Sequence, residues 1–280
     1  MPEQRSALYD FSVSPYSYDF LAFICQARSH GSNHTVFVPG ERAYQKCSPE
    51  EQKFRLEHLL IPLARMSGEV TVCATRKEAT SYSPVFPVGY TVAKPLHGHM
   101  FGQLIRSGRA KWLSPSERAL SSVPSGRLTI TIRESRIKPL RNSNIGQWIK
   151  AAERLKDMGY RPLFIPDTDN MQCEFGDFES YPEASLDPDV RMALYQKSVL
   201  NLGIGNGPMG LCFYSTNPYL MFRFQDERFQ EQSAAFLKAN NLPVGSQAPW
   251  RGNNQAIVWE DDTEENIIKH VQRWELRKAA

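Results

Sequence analysis

Short runs of apolar and β-branched residues alternate along the chain with stretches whose apolar positions recur at helical spacing. Residues 7–13, 34–39 and 69–75 have the first pattern and predict strands. Between them, 18–28 predicts a helix with Phe20, Leu21, Ile24 and Cys25 on one face. A charged amphipathic helix is predicted over 49–66, kinked or ended at Pro62, because a proline inside a helix lacks the N–H of the i to i−4 bond. Residues 82–100 carry Pro84, Pro87, Gly89, Pro95 and Gly98 and no long periodic stretch. A second alternating block follows. It predicts strands at 128–132, 161–166, 200–204 and 219–222, and helices at 145–158, 188–199, 227–239 and 264–277, with a helix start at 208–214. Asp187 and Pro188 open the helix at 188, since proline suits a first helical turn and aspartate complements its dipole. The strands are near-continuous apolar runs, the pattern of a sheet covered on both faces.

Strands separated by helices form parallel β-α-β units. The expected fold is therefore α/β, with two Rossmann-like domains facing across a cleft. The first spans 1–122 with the interdomain linker, and the second spans 123–280. At 280 residues and 41% apolar, the chain has enough hydrophobic surface for sizeable cores, which excludes disorder throughout. Lys+Arg 33 against Asp+Glu 30 leaves +3, mixed along the sequence. That balance is too slight to indicate nucleic acid or an anionic membrane as partner, and any membrane contact is expected to be peripheral only. Five cysteines with no CxxC pair argue against a disulfide framework and for a reducing compartment. No apolar run approaches a membrane span and none follows the N-terminus as a secretory signal would, so a soluble, cytoplasmic protein is expected.

Parallel sheets of this kind bind ligands at the carboxyl ends of their strands. After the strand at 200–204 come Gly205, Asn206, Gly207, Pro208, Met209 and Gly210. Two glycines and an asparagine tolerate unusual turn geometry, and Pro208 suits a helix start. Backbone amides gathered there would form an anion site matched to a diphosphate. Gly205, Gly207 and Gly210 also fit GxGxxG spacing, but the next strand ends in Arg223 rather than the carboxylate that holds a dinucleotide ribose. After 128–132, Arg133, Arg136, Lys138 and Arg141 put basic groups on a strand-to-helix loop. Arg133 and Arg136 are the expected phosphate donors. Asp167, closing the strand at 161–166, is either a ribose acceptor or a turn former. In the first block, Asp19 follows a run of hydroxyls and aromatics and is the candidate general base for an acceptor hydroxyl, with His97 and His99 behind it. No residue pattern supports a metal site, and no HExxH, GxSxG or Walker sequence is present.

The stretch 200–222, with Gly207-Pro208-Met209 at its centre and Asn217-Pro218 before an apolar strand, resembles the donor-site segment of GT-B glycosyltransferases, above all the bacterial heptosyltransferase group. Gly205 stands where that group carries Asp, Asn206 where it carries a hydroxyl residue, and Gly210 where it carries His. The strand ending in Arg133, the helix containing Trp148 and the strand ending in Pro166-Asp167 resemble the start of the same donor domain. The resemblance implies a metal-independent transferase with no cofactor. It would take a nucleotide-diphosphate sugar as donor and a sugar or glycolipid hydroxyl as acceptor, in surface polysaccharide or lipopolysaccharide assembly. Two alternatives share the fold: a sugar-nucleotide epimerase, which needs no acceptor, and a non-catalytic binding or scaffold protein.

Overall fold

The computed structural model describes residues 5–41, 47–98, 100–108 and 113–279. The chain divides into two compact units, Met1–Ser114 and Pro115–Ala280. The boundary expected at 122/123 would leave residues 117–122 with the first unit. Their contacts lie with the second. The Ser116 amide and hydroxyl, just ahead of them, both donate to the Asp189 carboxylate, and Lys197 Nζ donates to the carbonyls of Leu120 and Val123.

In the first unit, β1 (Arg5–Asp10), α1 (Phe20–Ser29), β2 (Ser32–Val38), α2 (Pro49–Arg55), α3 (Ile61–Arg65), β3 (Glu69–Val72), β4 (Val85–Phe86) and α4 (Phe101–Ser107) follow in order. The sheet runs β3-β2-β1-β4, parallel throughout. The strand expected to reach residue 13 stops at Asp10, because the Val13 and Ser14 amides turn back onto the Asp10 carbonyl. Pro62 does not end the helix expected at 49–66. A π turn at Leu56–Leu60 joins α2 to α3, and the Ile61 N–H reaches back to the Leu56 carbonyl. That wider turn takes up the backbone just ahead of the proline, whose ring would clash with a carbonyl in a regular helix.

The second unit contains α5 (Glu117–Ser122), β5 (Leu128–Thr131), α6 (Ile145–Asp157), β6 (Pro162–Ile165), α7 (Glu183–Leu186), α8 (Pro188–Lys197), β7 (Leu200–Ile204), α9 (Gly210–Phe213), β8 (Tyr219–Phe222), α10 (Ala234–Ala239), β9 (Gln255–Ile257) and α11 (Glu264–Ala279). Asp187 caps α8, its side chain accepting from the Asp189 and Val190 amides. The helix expected at 227–239 is confined to Ala234–Ala239. Asp226 first folds the chain into a turn by accepting from the Arg228 amide, and Ser233 then caps a new start. All five strands are parallel, in the order β6-β5-β7-β8-β9. Ile130, Leu202 and Phe222 on the sheet pack with Trp148 of α6 and Ile267 and Val271 of α11 in one buried cluster. Among the described residues, no helix is long and apolar enough to cross a membrane.

The strand order reverses direction between β5 and β7, because the chain goes from β5 outward to β6 and returns to the other side of β5 for β7. A reversal of this kind leaves a crevice at the carboxyl ends of the two central strands. The loop 132–144 and the turn 205–210 open there.

Candidate functional site

Arg133 leaves β5 and folds its loop shut. Its amide donates to Ser143 Oγ at 2.9 Å, and its guanidinium donates to the Lys138 carbonyl at 3.2 Å, to Asn142 Oδ1 and to the Ile137 carbonyl. Burial, and next to it the charge of Arg141, hold its pKa below the usual arginine value. The guanidinium expected to meet phosphate is thus occupied by its own loop. Arg136 is exposed, and its amide donates to Asp169 Oδ2 at 3.0 Å. Asp167 braces the backbone: Oδ2 accepts from the Glu134 amide and Oδ1 from the Asp169 amide. That arrangement is the turn-forming reading of Asp167, not a free ribose acceptor.

The basic groups brought to the β7 exit are Arg141 and Lys138. Arg141 Nη2 donates to the Gly205 carbonyl at 3.2 Å, while Nη1 pairs with Glu231 at the same distance. Lys138 Nζ pairs with Glu231 as well. Burial raises the Glu231 pKa, but the hydrogen bond from Lys138 and the charge of Arg141 prevail and keep it below its ordinary value. Lys138, Arg141 and Arg228 surround the Phe229 ring at 5.5, 5.7 and 5.8 Å from its centre. Arg223, at the exit of β8, ties the loop down from the other side. It donates to the carbonyls of Asn142 and Leu140 and pairs with the buried carboxylate of Asp262 at 3.2 Å. Lys138 and Arg223 are both in the left-handed region, at φ 55° and 45°. Each costs on the order of 1 kcal/mol there, and both flank the crevice, as strained residues often do at working sites.

The turn after β7 departs from expectation. None of Gly205, Asn206, Gly207 or Gly210 has a left-handed φ. At Gly205 the chain leaving β8 approaches closely instead: a Cβ there would stand 3.1 Å from Phe224 Cα. Most of the amides expected to be open are taken. Asn206 Oδ1 accepts from the Met209 amide at 2.9 Å, and the Gly210, Leu211 and Cys212 amides bond to the carbonyls of Gly207, Pro208 and Met209. Among the described residues, only the Asn206 and Gly207 amides of this turn have no partner. Pro208 is half-buried. Met209 is fully buried against Gly203, so its side chain is core, not lining.

In the first unit, Asp19 is exposed at the N-cap of α1, where its carboxylate accepts from Ser17 Oγ at 3.0 Å. His97 is exposed, and His99 lies outside the described residues. Between them, Gly98 presses onto the Tyr9 ring, its amide donating to Ser14 Oγ at 2.8 Å. A buried carboxylate that sequence reasoning passed over, Asp10, ends β1. It accepts from both Arg76 Nη atoms at 2.8 Å, from Ser12 Oγ at 2.6 Å and from Tyr90 Oη at 2.7 Å. Each of its oxygens is engaged, so Asp10 is an anchor for the strand-end loops. Among the described residues, no group of three or more His, Cys, Asp or Glu is placed to hold a metal ion.

No family model matches the chain, and no curated protein matches it. Solved structures do. The ADP-heptose LPS heptosyltransferase II of E. coli overlays with a TM-score of 0.50 at 11% identity, over 99% of this chain and 100% of that one. The fold is the GT-B fold. A glycosyl transferase family 9 protein from Veillonella parvula gives 0.48 at 10% identity over 97% of both chains. E. coli heptosyltransferase WaaC with ADP gives 0.47 at 10% identity, over 97% of this chain and 99% of that one. At such identities the likeness is one of architecture.

Proposed function

We propose that the protein is a glycosyltransferase taking a nucleotide-diphosphate sugar at the β5/β7 crevice of its second unit and passing the sugar to an acceptor hydroxyl. The observation that carries this reading is Arg141 at the Gly205 carbonyl, one residue before the Asn206 and Gly207 amides, with Lys138 joined to it through Glu231. Glu231 holds both cations in place before a ligand arrives. A diphosphate entering the crevice takes charge-assisted hydrogen bonds from Arg141 and Lys138 and the two open amides. As the bond to the sugar breaks, negative charge grows on the leaving diphosphate, and fixed cations stabilise it without reorganising. Arg133, Arg136 and Asp167 contribute by shaping the loop, and Gly205, Pro208, Met209 and Gly210 by shaping the turn. The E. coli protein of the same fold is an ADP-heptose heptosyltransferase, which makes ADP-sugars the first donors to test. Asp19 is assigned as the base that takes the acceptor proton, being solvent-facing at the start of α1. His97 and His99 are second to it in this assignment.

The test is a thermal-shift and calorimetric panel of ADP-, UDP- and GDP-sugars, followed by transfer assays. One class of sugar nucleotide should raise the melting temperature, since a ligand that binds only the folded state stabilises it. Arg141→Ala should abolish most of that shift. Silence across the whole panel overturns the reading. Donor turnover without acceptor assigns an epimerase, and binding without turnover assigns a non-catalytic protein.

A further inference from the structure

The amino edge of the second sheet, opposite the donor crevice, carries a second concentration of positive charge. The last turns of α11 place Arg273 and Arg277 one turn apart, with Leu276 on the same face. Trp274 Nε1 donates to the Asn254 carbonyl at 3.0 Å and so fixes that part of α11 against the loop bearing Arg251. On the other side, Tyr160 Oη donates to Glu275 Oε1 at 2.7 Å and brings the start of β6, with Arg161, alongside. A cavity of about 490 Å³ opens between them, lined by Tyr160, Arg161, Trp274 and Glu275.

All four arginines are exposed, and among the described residues none has a carboxylate within ion-pair distance. Elsewhere in the unit most arginines are paired: Arg127 with Glu179, Arg154 with Glu264, Arg223 with Asp262 and Arg228 with Asp226. Burial of part of its stem, then the charges of Arg251 and Arg273, hold Arg277 below the usual arginine value. Glu275, the carboxylate lining the same cavity, accepts from Tyr160 Oη and lies in no ion pair with any of the four, so the arginines are in excess. Like charges in excess repel each other in the free protein and are relieved by an anionic partner. Leu276 is 72% exposed within this group. A large apolar side chain standing among arginines suits an interface where headgroups meet acyl chains.

We propose that this edge is a docking surface for anionic phospholipid, with Arg161, Arg251, Arg273 and Arg277 on the headgroups and Leu276 entering the acyl boundary. The surface is independent of the donor crevice and of the transferase reading. Single-stranded nucleic acid would be met by exposed aromatic platforms among the cations, whereas the exposed apolar side chain here is the aliphatic Leu276, which phosphates alone would leave in water.

Flotation of the full chain with phosphatidylcholine vesicles, with and without phosphatidylglycerol, tests this. Binding is expected only with phosphatidylglycerol. The combined variant Arg251→Ala, Arg273→Ala, Arg277→Ala should weaken it about a hundredfold, given the usual worth of a basic residue near an anionic surface. A charge-matched variant at exposed positions of the rest of the chain, Lys53→Ala, Arg106→Ala, Arg118→Ala, should bind as the wild type does. Leu276→Ser, which leaves the charge unchanged, should lower vesicle binding while leaving binding to a short RNA unaffected. Circular dichroism of each variant confirms that the fold is kept. No binding to phosphatidylglycerol vesicles, or equal loss in both charge variants, overturns the proposal. It is equally overturned if Leu276→Ser binds vesicles like the wild type, or if a short RNA binds more tightly than the vesicles do.

Discussion

Two arginines in one loop show how position decides use. Arg133 abuts β5 and looks from the sequence like the residue nearest a ligand, yet its donors close on carbonyls of its own loop. Arg141 is further from the strand and reaches the Gly205 carbonyl and Glu231. Arg141→Ala should therefore weaken sugar-nucleotide binding roughly tenfold to a hundredfold, the worth of a hydrogen bond to a charged group, with little change in melting temperature. Arg133→Ala should lower the melting temperature, and it should affect binding only through the loosened loop. Calorimetry and thermal unfolding on the same two variants separate these outcomes. Gly205→Asp moves the turn toward the GT-B donor motif and should still be destabilising by about 1–3 kcal/mol, because overpacking is what a side chain 3.1 Å from Phe224 Cα produces. A more stable Gly205→Asp protein in urea titration would contradict the close approach. Asp10 gives a pH-dependent case. Burial raises its pKa, but the hydrogen bonds from Arg76, Ser12 and Tyr90 prevail and hold it below the usual carboxylate value. A carboxyl with a depressed folded-state pKa contributes stability above its unfolded pKa and loses it as pH falls through the folded one. Asp10→Asn should thus cost about 3 kcal/mol at neutral pH, as breaking a buried ion pair does. The gap to wild type should narrow below about pH 4, read by urea unfolding at several pH values.

Among the elements, α6 depends on one distant carboxylate. Asp262, three per cent exposed at the end of the β9 connection, accepts from the Asn144 amide at the start of α6 and from Trp148 Nε1 one turn later, and it pairs with Arg223. Asp262→Ala leaves a buried indole N–H and a helix-start amide unsatisfied and takes away the counter-charge of Arg223, which keeps its two carbonyl acceptors, and should cost on the order of 3 kcal/mol. It should also loosen the loop that Arg223 ties down, so sugar-nucleotide binding should weaken along with the melting temperature. Retention of full binding in the variant would show that the loop is held without the Asp262–Arg223 pair. Asp262 has no signature in the sequence, being 114 positions from Trp148. The same limit explains what the sequence conveys at this scale. Strands β5 to β8 are readable because each is a short apolar run between turn residues, and α8 because Asp187 and Pro188 mark its start. The three-residue β9 is not, since a run so brief gains its strand character only from pairing with β8. The turn at 205–210 is readable as a turn. That Asn206 would use its side chain on the Met209 amide, and so close most of the expected amide cradle, depends on a rotamer that composition does not specify.

At the scale of the molecule, strand order does what no local pattern does. The path from β5 to β6 and back to β7 creates the reversal that brings the 132–144 loop beside the 205–210 turn, and through it Arg141 beside Gly205. Glu231, which holds Lys138 across 93 positions, joins them only in the folded unit. Every group assigned here to the sugar nucleotide lies in Pro115–Ala280, a unit with its own five-stranded sheet and its own buried cluster around Trp148. A unit that buries a core of this kind has what it needs to fold alone. A fragment spanning 115–280 should accordingly unfold in one cooperative transition and bind the same sugar nucleotide as the full chain, with an affinity within about tenfold, one factor of ten being only 1.4 kcal/mol. Transfer should be absent from the fragment, because the proposed base Asp19 belongs to the first unit. If the fragment folds yet binds nothing that the full chain binds, the donor is held by both units, and the assignment of its site to the β5/β7 crevice alone is wrong.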